Sequence, residues 1–531
     1  MCMPHNSLES LLQGVSHELS GDPSTEITSL SYDSRKVDGQ GTLFAAFVGA
    51  RFDGHRFIDE AVRRGASAVL VSEPVQVPEG VSVVRVKDTR AALAEIARVF
   101  YGDPSSELTA IGVTGTKGKT TTAFMISHIL SESGRPSGLI GTMGYMAGKG
   151  LEPGPNTTPE AADVQAILYE MVRAGRTHVA MEASSHGIAL GRVALVDWDV
   201  GVFTNIGHDH LDFHITIDNY VDAKASLFRS LGKFGAREGK LWPKVAVINI
   251  DDPHHCAIFD AAQEAGAEII TYSALGREGL RGCRHLGAVD VVTGRKGTRY
   301  TVHWRESEGP SSKMESVGVC SPLIGAFNVS NALAAIGAVL AVGVPLGEAA
   351  RALSGFPGVP GRFETVDEGQ DFAVVVDYAH TPDSLANVLA TARDISDGRV
   401  ICVFGCGGDR DRSKRPLMGA IAQRMADYSI VTSDNPRGED PADIVREIVQ
   451  GMSEHEAGVE GKAGLEGREK WKIILDRGEA IREAVRCARR GDVVLIAGKG
   501  HETYQIFRDE TVHFDDREEA RAALRELRMD A

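Results

Sequence analysis

Thr109-Ala110-Ile111-Gly112-Val113-Thr114-Gly115-Thr116-Lys117-Gly118-Lys119-Thr120-Thr121 is the stretch on which the reading of this chain turns. Its first residues form an apolar run that fits a buried strand, and Lys119–Leu130 has the make-up of a helix. Between them, glycines let the backbone turn its N–H groups onto phosphate oxygens, and the helix N-terminus adds positive potential. Gly115, Thr116, Lys117, Gly118, Lys119, Thr120 and Thr121 are therefore the expected nucleotide-binding loop, with Lys119 on phosphate and Thr120 on magnesium. The loop departs from the full eight-residue pattern, because Val113 stands five places before Gly118 and Gly112 comes one place too early. A flexible glycine turn is the bland alternative; a strand before and a helix after argue against it.

Outward from this loop the same grammar repeats. Further strands are expected at Thr177–Met181, Val200–Phe203 and Lys244–Ile248, and alternation of strand and helix favours an α/β fold with a mostly parallel sheet. Before it, short apolar runs at Thr42–Val48, Ala66–Val71 and Val81–Val86 read as a small α/β domain, closed by a linker at Gly102-Asp103-Pro104-Ser105-Ser106. After it, Gly355–Gly361 looks like a hinge. Domains 1–105, 106–355 and 356–531 follow. The last third holds strands at Phe372–Val376, Arg399–Phe404, Tyr428–Val431 and Val493–Ile496, each running into a polar cluster where ligands of open parallel sheets bind. Residues 451–470 are expected to form a surface excursion.

Composition narrows the function. Lys plus Arg total 57 against 73 Asp plus Glu, a net charge of −16, which argues against a nucleic-acid binder and requires local positive charge for any anionic substrate. No segment reaches about 18 uninterrupted apolar residues, and Met1–Leu12 has no leader pattern, so a cytoplasmic chain without membrane insertion is expected. Seven scattered cysteines are expected to be reduced thiols. His254, His255, Cys256, Cys283 and His285, and separately Cys402 and Cys406, lack zinc spacing and read as ordinary residues.

In the middle of the chain one strand delivers Glu182 and then Ser184-Ser185-His186, and another delivers Thr204-Asn205 before His208-Asp209-His210-Leu211-Asp212. Oxygen ligands and an imidazole at strand ends, near a phosphate loop, suit magnesium bridging ATP and a second anion. Glu182 and His210 are the candidates, although each alone reads more simply as a surface or packing residue. Lys224, by composition, is a solvated lysine.

Gly115–Thr121, Asn156-Thr157-Thr158-Pro159, Glu182–His186, Asp209–Asp212, Asn328-Val329-Ser330-Asn331 and Asp377-Tyr378-Ala379-His380, in this order, closely resemble the Mur ligase family. Tyr32–Arg35, Phe404–Asp411, Asp434-Asn435-Pro436-Arg437 and Gly498-Lys499-Gly500-His501-Glu502 look like the members that add meso-diaminopimelate to UDP-N-acetylmuramoyl-L-alanyl-D-glutamate. The resemblance implies a three-domain architecture, with a central domain of P-loop ATPase type and a Rossmann-like C-terminal domain. It implies ATP as co-substrate, magnesium ions, two of them, and metal ligation by Thr120, Glu182, His210 and a carbamylated Lys224. Lys119, Lys224 and His210 would be catalytic. Asn328, Arg362 and Asp377 would join the phosphate loop on ATP. Ser34 would contact uridine, and Asn156, Thr157, Thr158, Ser184 and Arg192 the muramoyl dipeptide. Arg410, Asp434, Asn435, Pro436, Arg437, Gly498 and Glu502 would hold diaminopimelate. A monomer is expected. Leu190 departs from the pattern, standing where a glutamine is common, which puts that substrate contact in doubt.

The implied chemistry phosphorylates an inert carboxylate and lets an amine displace phosphate, with lysine, metal and backbone dipoles neutralising the transferring phosphoryl. Rival readings are a lysine-adding ligase, a folylpolyglutamate-type ligase, and a nucleotide-dependent switch that forms no bond. The far carboxylate of diaminopimelate calls for a bidentate cation, and Arg437 supplies one.

Overall fold

Parallel strands that end level with one another are what this chain builds, and both candidate regions lie at such ends. The computed structural model describes residues 6–49, 53–154, 156–207, 209–306, 314–457 and 470–529. Two compact units divide the chain: Met1–Val289 with Val302–Val317 and Ser330–Leu353, and Asp290–Thr301 with Gly318–Val329 and Ser354–Ala531.

In the first unit, β1 (Glu18–Ser20), β2 (Ser29–Ser31), β3 (Thr42–Ala45), β4 (Ala66–Val71) and β5 (Ser82–Arg85) form a sheet in the order β1-β5-β4-β3-β2. The pairs are parallel apart from β1 with β5. Helix α1 (Thr89–Phe100) starts where the Asp88 carboxylate accepts from the N–H groups of Arg90 and Ala91. It buries Leu93, Ile96, Ala97 and Phe100 with Leu43, Leu70 and Val84. Burial of each large side chain stabilises the domain by about 1.5–3 kcal/mol.

The expected linker is not loose. Pro104–Ser106 forms a 3-10 turn, and buried Ser105 accepts from Asp197 N–H at 3.1 Å. Lys240 Nζ donates to the carbonyls of Ser105, Leu108 and Asp197 and pairs with Asp199 at 2.6 Å. A buried ammonium demands such partners, so the segment is clasped to the base of the next sheet.

That sheet contains β6 (Thr109–Thr114), β7 (Ser137–Gly141), β8 (Gly144–Met146), β9 (His178–Glu182), β10 (Trp198–Phe203), β11 (Val245–Asn249) and β12 (Glu268–Ser273), in the order β8-β7-β9-β6-β10-β11-β12. Only β8 runs antiparallel among these. Register sets Glu182 opposite Val113 and Phe203 opposite Thr114, so the ends of β9, β6 and β10 coincide. Strands at Arg284–Gly294, Gly297–Arg305 and Met314–Ser321 were not expected. In Gly297–Arg305 the apolar residues alternate with polar ones, burying Tyr300, Val302 and Trp304, so no continuous apolar run marks it.

In the second unit, β13 (Glu364–Thr365), β14 (Ala373–Asp377), β15 (Val400–Phe404), β16 (Tyr428–Val431), β17 (Trp471–Ile473) and β18 (Val493–Ala497) order as β13-β14-β18-β15-β16-β17, parallel except at β13. The expected surface excursion is corrected in its first part. Helix Pro441–Ala457 runs through it, Met452 is buried, and a Cβ at Gly451 would lie 1.9 Å from Pro416 O. Residues 458–469 lie outside the described residues.

Candidate active site

After β6 the chain makes the phosphate loop and enters helix α2 (Lys119–Glu132). Gly115 and Gly118 have φ of 151° and 85°, and a Cβ would stand 1.9 Å from Thr204 Oγ1 and 2.3 Å from Asn331 Oδ1 respectively, so only glycine fits either position. The loop is braced from β10: Asn205 O accepts from Thr116 N–H at 2.8 Å, and Asn205 Oδ1 from Lys117 N–H at 2.9 Å. Thr120, at the start of α2, donates to Glu182 Oε2 at 3.0 Å.

Lys119 Nζ donates to Gly115 O at 2.9 Å and Thr116 O at 3.0 Å. Lys224, on α4 (Ile217–Arg229), donates to the same Gly115 O at 2.8 Å and lies over the Tyr220 ring. Composition made Lys224 a solvated lysine; it is 1 % exposed. Burial first, and the neighbouring Lys119 charge second, hold its ammonium well below the ordinary lysine range. Two ammonium groups on one carbonyl oxygen repel, so the structure favours a neutral Lys224 amine.

Glu182 is buried and accepts from Thr120 and, at 2.8 and 3.1 Å, from Thr142 N–H and Oγ1. Thr142 also reaches Thr157 at 3.2 Å, and Thr158 reaches Glu182 O at 2.8 Å and Ser184 at 3.0 Å. Arg192 donates to Thr158 O at 3.0 Å and pairs with Glu160 at 2.8 Å, and its buried Nε makes no hydrogen bond among the described residues. Helix α3 (Ser185–Ala189) carries His186, against whose ring His210 packs edge-on at 4.6 Å. His210 itself is half-exposed with φ of 54°, and Asn156 is exposed. Ser34 is buried elsewhere in this unit and donates to Glu60 at 2.8 Å. His208 lies outside the described residues.

A magnesium ion, implied by the family resemblance, is testable on this donor set. A hydroxyl and a buried carboxylate 3.0 Å apart are hard oxygen donors and fit it. Among the described residues no cluster of three His, Cys, Asp or Glu stands together, so the remaining ligands would have to be His210, a modified Lys224, phosphate oxygens or water.

The second unit holds the other candidates. Asp377, at the end of β14, accepts from Phe363 N–H and Ala379 N–H at 2.7 and 2.8 Å; burial raises its pKa, against the pull of Arg362. The Arg362 guanidinium lies over Tyr378 at 4.8 Å, and Asn328 donates to Ile324 O at 2.8 Å. After β16 come Asp434, Asn435 and Pro436, all buried, and then Arg437 with φ of 51°. Arg437 Nη1 donates to Gly408 O at 3.0 Å, while its Nε and Nη2 make no hydrogen bond among the described residues. Asn435 donates to Glu502 at 2.8 Å and accepts from Lys499 at 2.9 Å. Burial and the nearby Asp434 raise the pKa of Glu502. Gly498 has φ of 122°, with space for a Cβ taken by Asp434 Oδ2 at 2.7 Å. Arg410 is exposed at the rim.

Sequence reading assigned no role to Thr142, Lys499 or Tyr220. Lys499 lies inside a quoted motif and could have been found; Thr142 follows β7 with no motif around it.

A phosphate loop at one set of parallel strand ends and a mixed-charge cluster at another are the parts that an ATP-dependent α/β ligase requires. Models of the Mur ligase middle domain, the Mur ligase glutamate ligase domain and the Mur ligase catalytic domain match residues 113–339, 361–500 and 26–101. A UDP-N-acetylmuramoyl-L-alanyl-D-glutamate–2,6-diaminopimelate ligase of Geobacillus kaustophilus is 46% identical over 506 residues, covering 95% of this chain and 96% of its own. That of Syntrophomonas wolfei is 42% identical over 519 residues, covering 98% and 99%. A solved structure of a ligase of the same name matches with TM-score 0.66 and 33% identity over 99% of both chains. The chain belongs to the Mur ligase family and has its three-domain fold.

Proposed function

We propose that this chain adds meso-diaminopimelate to UDP-N-acetylmuramoyl-L-alanyl-D-glutamate, using ATP, in the synthesis of peptidoglycan precursors. Residues 1–105 serve the uridine end, 106–355 the nucleotide and 356–531 the incoming amino acid. The observation that carries this reading is a half-pinned Arg437 guanidinium set near the buried Asp434 carboxylate and the half-buried Glu502. A fork for a carboxylate beside acceptors for an ammonium suits an amino-acid end group, and lysine would leave the fork empty. The relatives' names, at 42–46% identity, support the same substrate.

In the reaction the D-glutamyl side-chain carboxylate attacks the γ-phosphorus and ADP leaves; the amine then attacks the acyl carbon, and phosphate leaves as the amide nitrogen loses its proton. Lys119 and the loop N–H groups stabilise the charge on the transferring phosphoryl. Thr157, Thr158, Ser184 and Arg192 orient the muramoyl dipeptide. Thr120, Glu182, His210 and Lys224 would hold magnesium, Lys224 after its neutral amine takes up carbon dioxide. Magnesium, when bound, supplies charge neutralisation between the reacting oxygens. No helix among the described residues is long and apolar enough to cross a membrane, which suits a cytoplasmic enzyme acting on a nucleotide-linked substrate. The test is amide formation with diaminopimelate, lysine and glutamate in parallel. Equal turnover with lysine would overturn the assignment.

A further inference from the structure

Arg437 holds an unfavourable backbone conformation, with φ of 51°, on a short loop, and its position needs an external cause. The loop is locked to a second one, 407–410. Gly408 N–H donates to Asn435 O at 2.9 Å, and Gly438 N–H donates to Asp409 Oδ2 at 2.9 Å. Asp409 is itself left-handed, with φ of 52°, and its N–H donates to Glu439 Oε1 at 2.7 Å. The carboxylate of Glu439 is gripped by both terminal guanidinium nitrogens of Arg415, at 2.9 and 2.8 Å.

Arg415 is fully buried on α5 (Lys414–Met425) and also donates to Gly407 O at 3.3 Å. Its other partner, Glu447, lies at 2.8 Å on the neighbouring helix α6 (Pro441–Ala457). One buried cation thus spans both helices and both loops. The clamp fixes the carbonyls of Gly408 and Asn435, which take Arg437 Nη1 at 3.0 and 3.4 Å, and so it sets where Nε and Nη2 point. The fit is close: a Cβ at Gly407 would lie 2.9 Å from Arg437 Nη1, and one at Gly408 1.9 Å from Pro436 O. A bidentate guanidinium–carboxylate contact depends on such alignment, whereas a point charge would not.

We infer that Asp409, Glu439 and Arg415 form a positioning clamp that confers selectivity for an amino acid with a second carboxylate. This rests on the reading of Arg437 given above, and the experiment separates the two. Wild-type enzyme is first assayed with muramoyl dipeptide, ATP and diaminopimelate; no product there defeats the reading itself. Asp409→Ala and Asp409→Asn are then compared. Asp409 is exposed, so its replacement leaves the core intact. Asp409→Ala loses the acceptor for Gly438 N–H and is expected to raise the diaminopimelate KM about tenfold, the scale of a weakened charge-assisted hydrogen bond, with kcat and the ATP KM within about twofold. Asp409→Asn keeps an acceptor and is expected to restore most of the loss. Glu439→Gln tests the same clamp from its other end and should lower the preference for diaminopimelate over lysine. The inference is overturned if active wild-type enzyme and Asp409→Ala share one diaminopimelate KM, or if all substrates weaken together in both variants.

Discussion

The phosphate loop and the 434–439 loop both follow parallel strands and both are proposed to bind anions, yet they supply positive charge differently. At the phosphate loop the charge comes from backbone N–H groups, a helix N-terminus and Lys119, which shares the Gly115 carbonyl with the buried Lys224 amine at 2.9 and 2.8 Å. At the second loop it sits on the Arg437 guanidinium, aimed by hydrogen bonds from beneath. Backbone amides surround a phosphate and tolerate any nucleotide tail, whereas an aimed fork discriminates between amino acids that differ by one carboxylate. Burial therefore governs the first region and alignment the second.

The largest expected effect tests the first half of that contrast. Lys224→Ala should lower kcat about 10²–10³-fold, the scale of losing one preorganised charged group, with partial recovery on adding short carboxylates. A fully active alanine variant would remove Lys224 from the chemistry. Next, Arg437→Ala should raise the diaminopimelate KM roughly 10- to 100-fold, from loss of about 1.5–3 kcal/mol, and move the ATP KM less than about twofold. Steady-state kinetics with each substrate varied would show equal shifts if the aimed fork were not selective.

A smaller change is expected at Leu190, which is 36% exposed at the end of α3. Leu190→Gln should lower the muramoyl-dipeptide KM about two- to tenfold, the worth of one hydrogen bond, and an unchanged KM would place the substrate away from this helix end. The slightest signal is in stability. Burial depresses Lys224, so between its folded value and 10.5 the unfolded chain holds a proton that the fold has lost, and stability rises with pH there. In carbon-dioxide-free buffer Lys224→Met should have the higher Tm, by a margin that shrinks as pH climbs from about 7 toward about 10. A constant margin would mean that Lys224 keeps its proton in the fold.

Strands β4 and β16 fall at Ala66–Val71 and Tyr428–Val431, where apolar runs marked them, because a strand buried on both faces needs uninterrupted apolar residues. The strand Gly297–Arg305 was missed, because one polar face breaks the run. The loop from Gly115 to Thr121 was legible for the same local reason: its glycines, lysine and threonine carry their own geometry.

Local sequence by itself determined the α/β alternation, the phosphate loop and the ordered motifs, since each depends on residues that are neighbours along the chain. Only the tertiary structure decided that Lys224 is buried and shares a carbonyl with Lys119, 105 positions away, and that Thr142 brackets Glu182 from β7. It also decided that Arg415 steadies the loop bearing Arg437 through Glu439. Charge and strand order are written locally, but the energy of a charge depends on what surrounds it, and those surroundings are assembled from distant segments.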